Sequence, residues 1–168
     1  MTARRRPIFL VGFMGSGKST VGRALAGQLG WTFVDTDRRI EEHEGKSIEA
    51  IFGDSGEGHF RRLEEEILED AAHPERVVAT GGGAFLNPAN RRKMHQAGST
   101  VWLDISLDRV RRRLGGGGCR PLWDPAKPLA QRILFERRRA VYALAGLRIA
   151  TADLSVEALA ERIRTKIQ

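Results

Sequence analysis

The sequence contains one cysteine in 168 residues. Cys119 has no internal partner, which excludes an intramolecular disulfide framework and fits a reducing cytoplasm. No run of about 18 consecutive apolar residues occurs, so no membrane-spanning helix is expected. The opening, MTARRRPIFLVGFMG, is basic and then briefly apolar. That apolar stretch breaks into Gly-Ser-Gly-Lys with no small-residue cleavage site before it, so it is expected to be mature protein rather than a signal peptide. Aromatic residues make up only 7%, few platforms for stacking bases. There is no internal repeat, and low complexity is confined to residues 115–118.

Acidic residues are in the minority, 21 against 28 Lys plus Arg, for a formal net charge of +7. The excess favours anionic partners, nucleic acid or phosphorylated small molecules. Basic clusters at residues 4–6, 91–93, 109–113 and 137–139 read equally well as solvated surface.

An apolar fraction of 41% is enough for a sizeable core, and the length suits one domain over residues 1–168. Five apolar segments read as strands: residues 8–12, 32–35, 77–80, 100–104 and 147–151. Helical patterns separate them. Val21, Leu25 and Leu29 recur at i, i+4, i+8, with Gly30 as a stop. Val156, Leu159, Ile163 and Ile167 mark a last helix, with Ser155 as its N-cap. Strands alternating with helices predict an α/β fold, a five-stranded parallel sheet with helices on both faces.

The stretch IFLVGFMGSGKSTVG carries the first chemistry. Gly12, Gly17, Lys18 and Ser19 fit G-x-x-x-x-G-K-[ST], with a strand before and a helix after. Glycines at 12, 15 and 17 let successive amides turn inward as an anion nest. The helix start adds its positive dipole end. Lys18 supplies a charge for the outer phosphates, and the Ser19 hydroxyl can ligate Mg²⁺. The loop is expected to hold ATP through Gly15, Ser16, Gly17, Lys18, Ser19 and Thr20.

Where the phosphate goes depends on the rest of the chain. In VDTD, Asp35 and Asp37 are expected to alternate along the strand end and reach one cleft at the carboxyl edge of the sheet. One carboxylate near Mg²⁺ and one near an acceptor hydroxyl is what phosphoryl transfer requires. No other apolar strand ahead of the glycines ends in an acid, since VVATGGG has none, which puts Asp35 on the metal side. Asp104 is read as structural. GHFRRLEEE puts Phe60 and Arg61 near a helix start, with Glu64 at i+3 able to hold the arginine fork. Three glycines, Gly81, Gly82 and Gly83, offer bare backbone to a ligand. GGGGCRPLW reads as a hinged lid over about residues 114–125 that brings Arg120 over the phosphates. In ERRRAVYALAG, one or more of Arg137, Arg138 and Arg139 offers a second carboxylate clamp, or all three form a solvated face.

Over nearly its whole length the chain resembles the shikimate kinase family. The pieces stand in family order: GFMGSGKSTVGRALA, FVDTD, SIEAIFGDSGEGHFRRLE, TGGGAF, RPLW and RRAVY. The resemblance implies a three-layer P-loop kinase fold with a mobile lid, and transfer of the terminal phosphoryl group of ATP to the 3-hydroxyl of shikimate. It implies Mg²⁺ on Ser19, with Asp35 nearby through water. Lys18, Asp37 and Arg120 would be catalytic, with Asp37 orienting or deprotonating the acceptor within a region of about residues 35–64. Arg61 and Arg138 would clamp the carboxylate, Gly82 would contact the ring substituents, and Phe52 and Phe60 would wall the pocket. Arg113 would join Arg120 on the nucleotide side. Two features depart from the pattern. Ala140 stands where relatives have proline two residues before the tyrosine, so Arg137 and Arg139 compete with Arg138 for the clamp. IATADLSVE lacks the arginine that some relatives place by the adenine.

A gluconate kinase-like protein and a nucleic-acid-binding NTPase module are the rival readings. The expected partners are ATP and shikimate, with neither nucleic acid nor membrane, and the expected state is a cytoplasmic monomer.

Overall fold

Isoleucine, phenylalanine, leucine and valine in direct succession form β1 (Ile8–Val11), and all four side chains are buried. A strand buries both faces only when helices cover both. The computed structural model, which describes residues 5–115 and 123–167, shows that arrangement. β2 (Thr32–Asp35), β3 (Arg76–Ala79), β4 (Ser99–Asp104) and β5 (Leu147–Ala150) complete a sheet in the order β2-β3-β1-β4-β5. Every neighbouring pair is parallel. The helices are α1 (Lys18–Leu29), α2 (Thr36–Glu44), α3 (Ile48–Ala71), α4 (Pro88–Ala97), α5 (Leu107–Leu114), α6 (Pro128–Tyr142) and α7 (Val156–Ile167), with a 3₁₀ turn at Ala84–Leu86.

The two-residue period of a strand divides the core. Ile8 and Leu10 pack with Val21 and Leu25 of α1 and Leu159 and Ile163 of α7. Phe9 and Val11 join Leu68 of α3, Met94 of α4 and Phe135 of α6 on the other face. A third cluster, Ile40, Ile51, Phe60 and Leu63, ties α2 to α3. The expected helix signals operate. Gly30 ends α1 in the left-handed region at φ 68°, and the Ser155 hydroxyl accepts from the Ala158 amide at 3.1 Å.

One expectation about local structure is corrected. Asp37 does not continue the strand: Thr36 already begins α2, so Asp37 projects from a helical first turn. The cause is Asp35, whose carboxylate caps α2 by accepting from the Arg38 amide at 3.2 Å. The third strand also runs one residue earlier than expected. Thr80 lies beyond it and gives both its amide and its hydroxyl to the Leu10 carbonyl.

β1 and β2 are successive in sequence but separated in the sheet by β3, and the connection from β3 crosses β1 to reach β4. The strand order thus reverses beside β1, and at such a point the carboxyl ends of the strands open a crevice for ligand. No helix among the described residues is long and apolar enough to cross a membrane.

Candidate active site

Residues 12–17 fill that crevice between β1 and α1. Gly12 has φ 146°, and a Cβ built there would stand 2.8 Å from the Leu103 carbonyl oxygen. Only glycine allows the loop to press this closely on β4. Gly17, also left-handed at φ 92°, starts α1 without any side-chain cap. The first-turn amides of α1 are therefore available to an anion. Lys18 Nζ folds over the loop and donates to the carbonyls of Gly12 (2.9 Å) and Phe13 (3.1 Å). Arg113 Nη1 donates to the Gly15 carbonyl at 2.7 Å. Ser19 Oγ donates to Asp35 Oδ2 at 2.5 Å, so Asp35 divides its two oxygens between α2 and Ser19. Gly15, Ser16, Gly17, Lys18, Ser19, Thr20 and Arg113 all line one cleft of about 620 Å³, together with Asp35 and Asp37.

The glycine turn at residues 81–83 is the meeting point of the other predicted residues. The Gly81 amide donates to Thr36 Oγ1 at 3.0 Å. A Cβ on Gly81 would lie 2.6 Å from Asp37 Oδ1 and 2.8 Å from Glu64 Oε1. On Gly82 it would lie 3.5 Å from Arg138 Nη1, 3.8 Å from the Met14 amide nitrogen and 3.9 Å from the Gly12 carbonyl oxygen. On Gly83 it would collide with the Arg61 guanidinium. Three consecutive bare Cα positions thus touch two acids, two arginines and the phosphate loop.

Arg61 reaches the turn because α3 breaks at Gly56 (φ 78°, ψ 171°), so that Phe60 and Arg61 stand near the start of its second half. Arg61 donates to Glu64 Oε2 at 2.9 Å and to Glu57 Oε1 at 3.2 Å, the hold on the fork that the i+3 spacing predicts. Burial pushes the Glu64 carboxyl up, Arg61 opposes the shift, and the charge of Asp37 adds to it. Burial would lower Arg61, but Glu64 and Glu57 together keep its guanidinium above the usual value. The rings of Phe52 and Phe60 lie 4.7 Å apart, and the Arg61 guanidinium lies 5.3 Å from the Phe60 ring. The 620 Å³ cleft is lined by Asp37 and Gly82 but not by Phe52, Phe60, Arg61, Gly81, Gly83 or Arg138. Those six pack around the glycine turn and the α2–α3 cluster.

Helix geometry sorts the three arginines of α6. Arg137 is exposed. Arg139 turns to Asp104 at 3.4 Å, where Arg148 also binds at 2.6 Å, so Asp104 is the structural acid expected of it. Arg138 is buried, lies 5.7 Å from the Phe13 ring and meets Gly82. Arg120 lies outside the described residues, as does most of the expected lid. At the far end of that segment Trp123 is buried, edge-on to Phe13 at 5.8 Å.

Some residues at the site have no sequence signal. Leu154, Val156 and Leu159 line the cleft from the start of α7, and Arg38 and Glu41 line it from α2. Their spacing reads as ordinary helix and loop. Tyr142, in the sequence only a marker for counting back to Arg138, donates its hydroxyl to the Gly82 carbonyl.

Known proteins place this geometry. The model of the family "Shikimate kinase" matches residues 14–168. A shikimate kinase of Persephonella marina is 44% identical over 164 residues, covering 97% of this chain and 99% of the relative. One from a Sulfurihydrogenibium species is 47% identical over 163 residues, covering 96% and 97%. Among solved structures, shikimate kinase from Acinetobacter baumannii in complex with shikimate superposes with a TM-score of 0.91 at 36% identity, over 96% of this chain and 92% of that one. A gluconokinase from Sinorhizobium meliloti reaches a TM-score of only 0.56 at 20% identity, over 98% and 90%, a likeness of fold alone. Family model, relatives and fold agree over almost the entire length, and the chain belongs to the shikimate kinase family.

Proposed function

We propose that this kinase transfers the terminal phosphoryl group of ATP to the 3-hydroxyl of shikimate, with the acceptor held across the glycine turn. The observation that carries the reading is that turn. Asp37, Arg61 and Arg138 approach one backbone segment that itself touches the phosphate loop at Met14 and Gly12. An acceptor bound there lies beside the end of the triphosphate. Shikimate carries one carboxylate and three hydroxyls. Arginines only donate and suit the carboxylate; an ionised aspartate only accepts and suits the hydroxyls.

In the proposed reaction the 3-hydroxyl oxygen bonds to the γ-phosphorus while the bond from that phosphorus to the β,γ-bridging oxygen breaks. The hydroxyl proton passes to an Asp37 oxygen, and ADP leaves. The amides of residues 12–17 and Lys18 hold the phosphates in line. Arg113 stands on the nucleotide side, and Arg120 offsets charge on the transferring group. Ser19 Oγ and Asp35 suit Mg²⁺, the former directly and the latter through water, because both offer hard oxygen atoms side by side. No group of three or more His, Cys, Asp or Glu able to hold a metal exists among the described residues, which fits an ion bound mainly by phosphate and water. When bound, Mg²⁺ neutralises charge on the phosphate oxygens. A single chain supplies both half-sites, so no second copy is needed to complete them, and the lone cysteine suits a reducing cytoplasm.

Purified protein with ATP and Mg²⁺ is expected to release ADP rapidly only when shikimate is added, with shikimate 3-phosphate identified by mass spectrometry. Gluconate turning over equally well, or stimulation by DNA in its place, rejects the assignment. A second variant separates the half-sites. Arg61→Lys keeps the charge but loses the planar fork. It is expected to weaken shikimate binding by roughly 1.5–3 kcal/mol, the scale of a charged hydrogen bond, with ATP affinity nearly unchanged. Calorimetric titration of each ligand measures the split, and equal losses for both ligands remove Arg61 from the carboxylate clamp.

A further inference from the structure

Tyr142 ends α6 four residues after Arg138, so the two side chains share one face of the helix. The tyrosine is 1% exposed, and its ring packs on Trp102 with centroids 6.4 Å apart. Filling a core in this way needs no hydroxyl, and phenylalanine would serve. The hydroxyl nevertheless has two engagements. It donates to the carbonyl of Gly82, the centre of the glycine turn, the same residue that Arg138 Nη1 approaches, 3.5 Å from where a Cβ would stand, and the charge of that guanidinium acts on the phenol. Burial pushes the phenol up to about 12, so it remains a donor throughout the working pH range. Arg138 keeps a buried Nε–H with no protein partner, a donor left over for a ligand. The ring of Phe13 lies on the other side of its guanidinium, at 5.7 Å.

We infer that Tyr142 is a positioning residue for the acceptor's carboxylate: its hydroxyl fixes the Gly82 backbone against which the Arg138 guanidinium lies, so the arginine and glycine halves of the acceptor site keep one register. The inference rests on the reading of Arg138 as a carboxylate ligand. Without the hydroxyl, the Gly82 carbonyl loses its donor and the guanidinium loses the fixed backbone it lies against. The guanidinium and the glycine turn then lose their common register while the core volume stays filled. The nucleotide loop is held by its own glycines and by Arg113, so ATP binding is insulated from the change.

The test is Tyr142→Phe, alone and combined with Arg138→Met, read by steady-state kinetics and by calorimetric titration of shikimate. The single variant is expected to raise the shikimate KM and Kd about ten-fold, the consequence of one lost hydrogen bond. The ATP KM should stay within about two-fold, and turnover at saturating shikimate within about three-fold. In the Arg138→Met background, Tyr142→Phe should change shikimate affinity by less than about two-fold, since the residue it acts through is gone. An unchanged shikimate KM, a matching rise in the ATP KM, or additive losses in the double variant overturn the inference. Wild-type shikimate affinity in Arg138→Met alone instead removes the carboxylate reading, and the inference with it. The chain has one tyrosine, so 3-fluorotyrosine labels only position 142 and reports on it while the rest of the protein is unaltered. Shikimate should shift its fluorine resonance in the otherwise unaltered protein and not in Arg138→Met. No shift in the former, or an equal shift in both, counts against the tie.

Discussion

Asp37→Asn is expected to lower turnover by about 10²–10⁴-fold, the range associated with loss of a positioned general base. The substitution keeps the size and the first-turn position in α2 but removes the capacity to take up the acceptor proton. The surroundings make this residue type consequential. Asp37 Oδ1 crowds the Gly81 Cα, with Glu64 Oε1 beside it, and the Asp37 charge is one of the influences raising the Glu64 carboxyl. Burial and the neighbouring Asp37 charge disfavour charge on Glu64. Asp37 also lines the nucleotide cleft, whereas Glu64 is buried and engaged by Arg61. The proposed reading therefore assigns Asp37, not Glu64, to the acceptor hydroxyl. The shikimate KM should change far less than turnover, because an amide still accepts one hydrogen bond. A raised KM with unchanged turnover makes Asp37 a binding group only. A pH–rate profile of the variant that keeps its acidic limb leads to the same conclusion.

Lys18→Ala is expected to reduce turnover by about 10³-fold, about 4 kcal/mol of barrier, with the fold intact by circular dichroism and thermal melting. Lys18 Nζ spans two carbonyls of the loop, which parks the charge beside the proposed site of the outer phosphates. Its contribution increases as negative charge builds on the transferring group, so turnover should fall more than nucleotide affinity. Retention of more than about a tenth of wild-type turnover, a barrier change of only about 1.4 kcal/mol, is incompatible with the nucleotide role of the loop. Loss of the melting transition instead shows that the two carbonyl contacts are structural.

The nucleotide half of the site was legible in the sequence because its chemistry is local. Between Gly12 and Ser19 the backbone, the charge and the hydroxyl all come from one strand-loop-helix segment, and spacing alone determines their geometry. Arg61 and Glu64 are likewise one helical turn apart. The sequence reading puts Asp37 at the strand end, whereas the structure puts it in the first turn of α2. Alternation along a strand and projection from a helix both direct an acid to the same cleft, and the choice between them turned on a capping bond from Asp35.

The acceptor half required the tertiary structure. Three adjacent arginines on α6 are equivalent by composition. They differ only because the helix is packed against the sheet, which sends Arg137 to solvent, Arg139 to Asp104 and Arg138 inward. The link from Tyr142 to Gly82 spans 60 residues, and on the nucleotide side, too, the wall supplied by Leu154 and Val156 comes from the opposite end of the chain. Contacts at such separations leave no periodic trace, because each partner also satisfies an ordinary local pattern. By itself the sequence determined the sheet, its helices and a phosphate-binding loop, all consequences of apolar periodicity and glycine spacing. Only the folded chain decided which arginine faces the glycine turn and which hydroxyl holds it there, since burial is set by packing between distant elements.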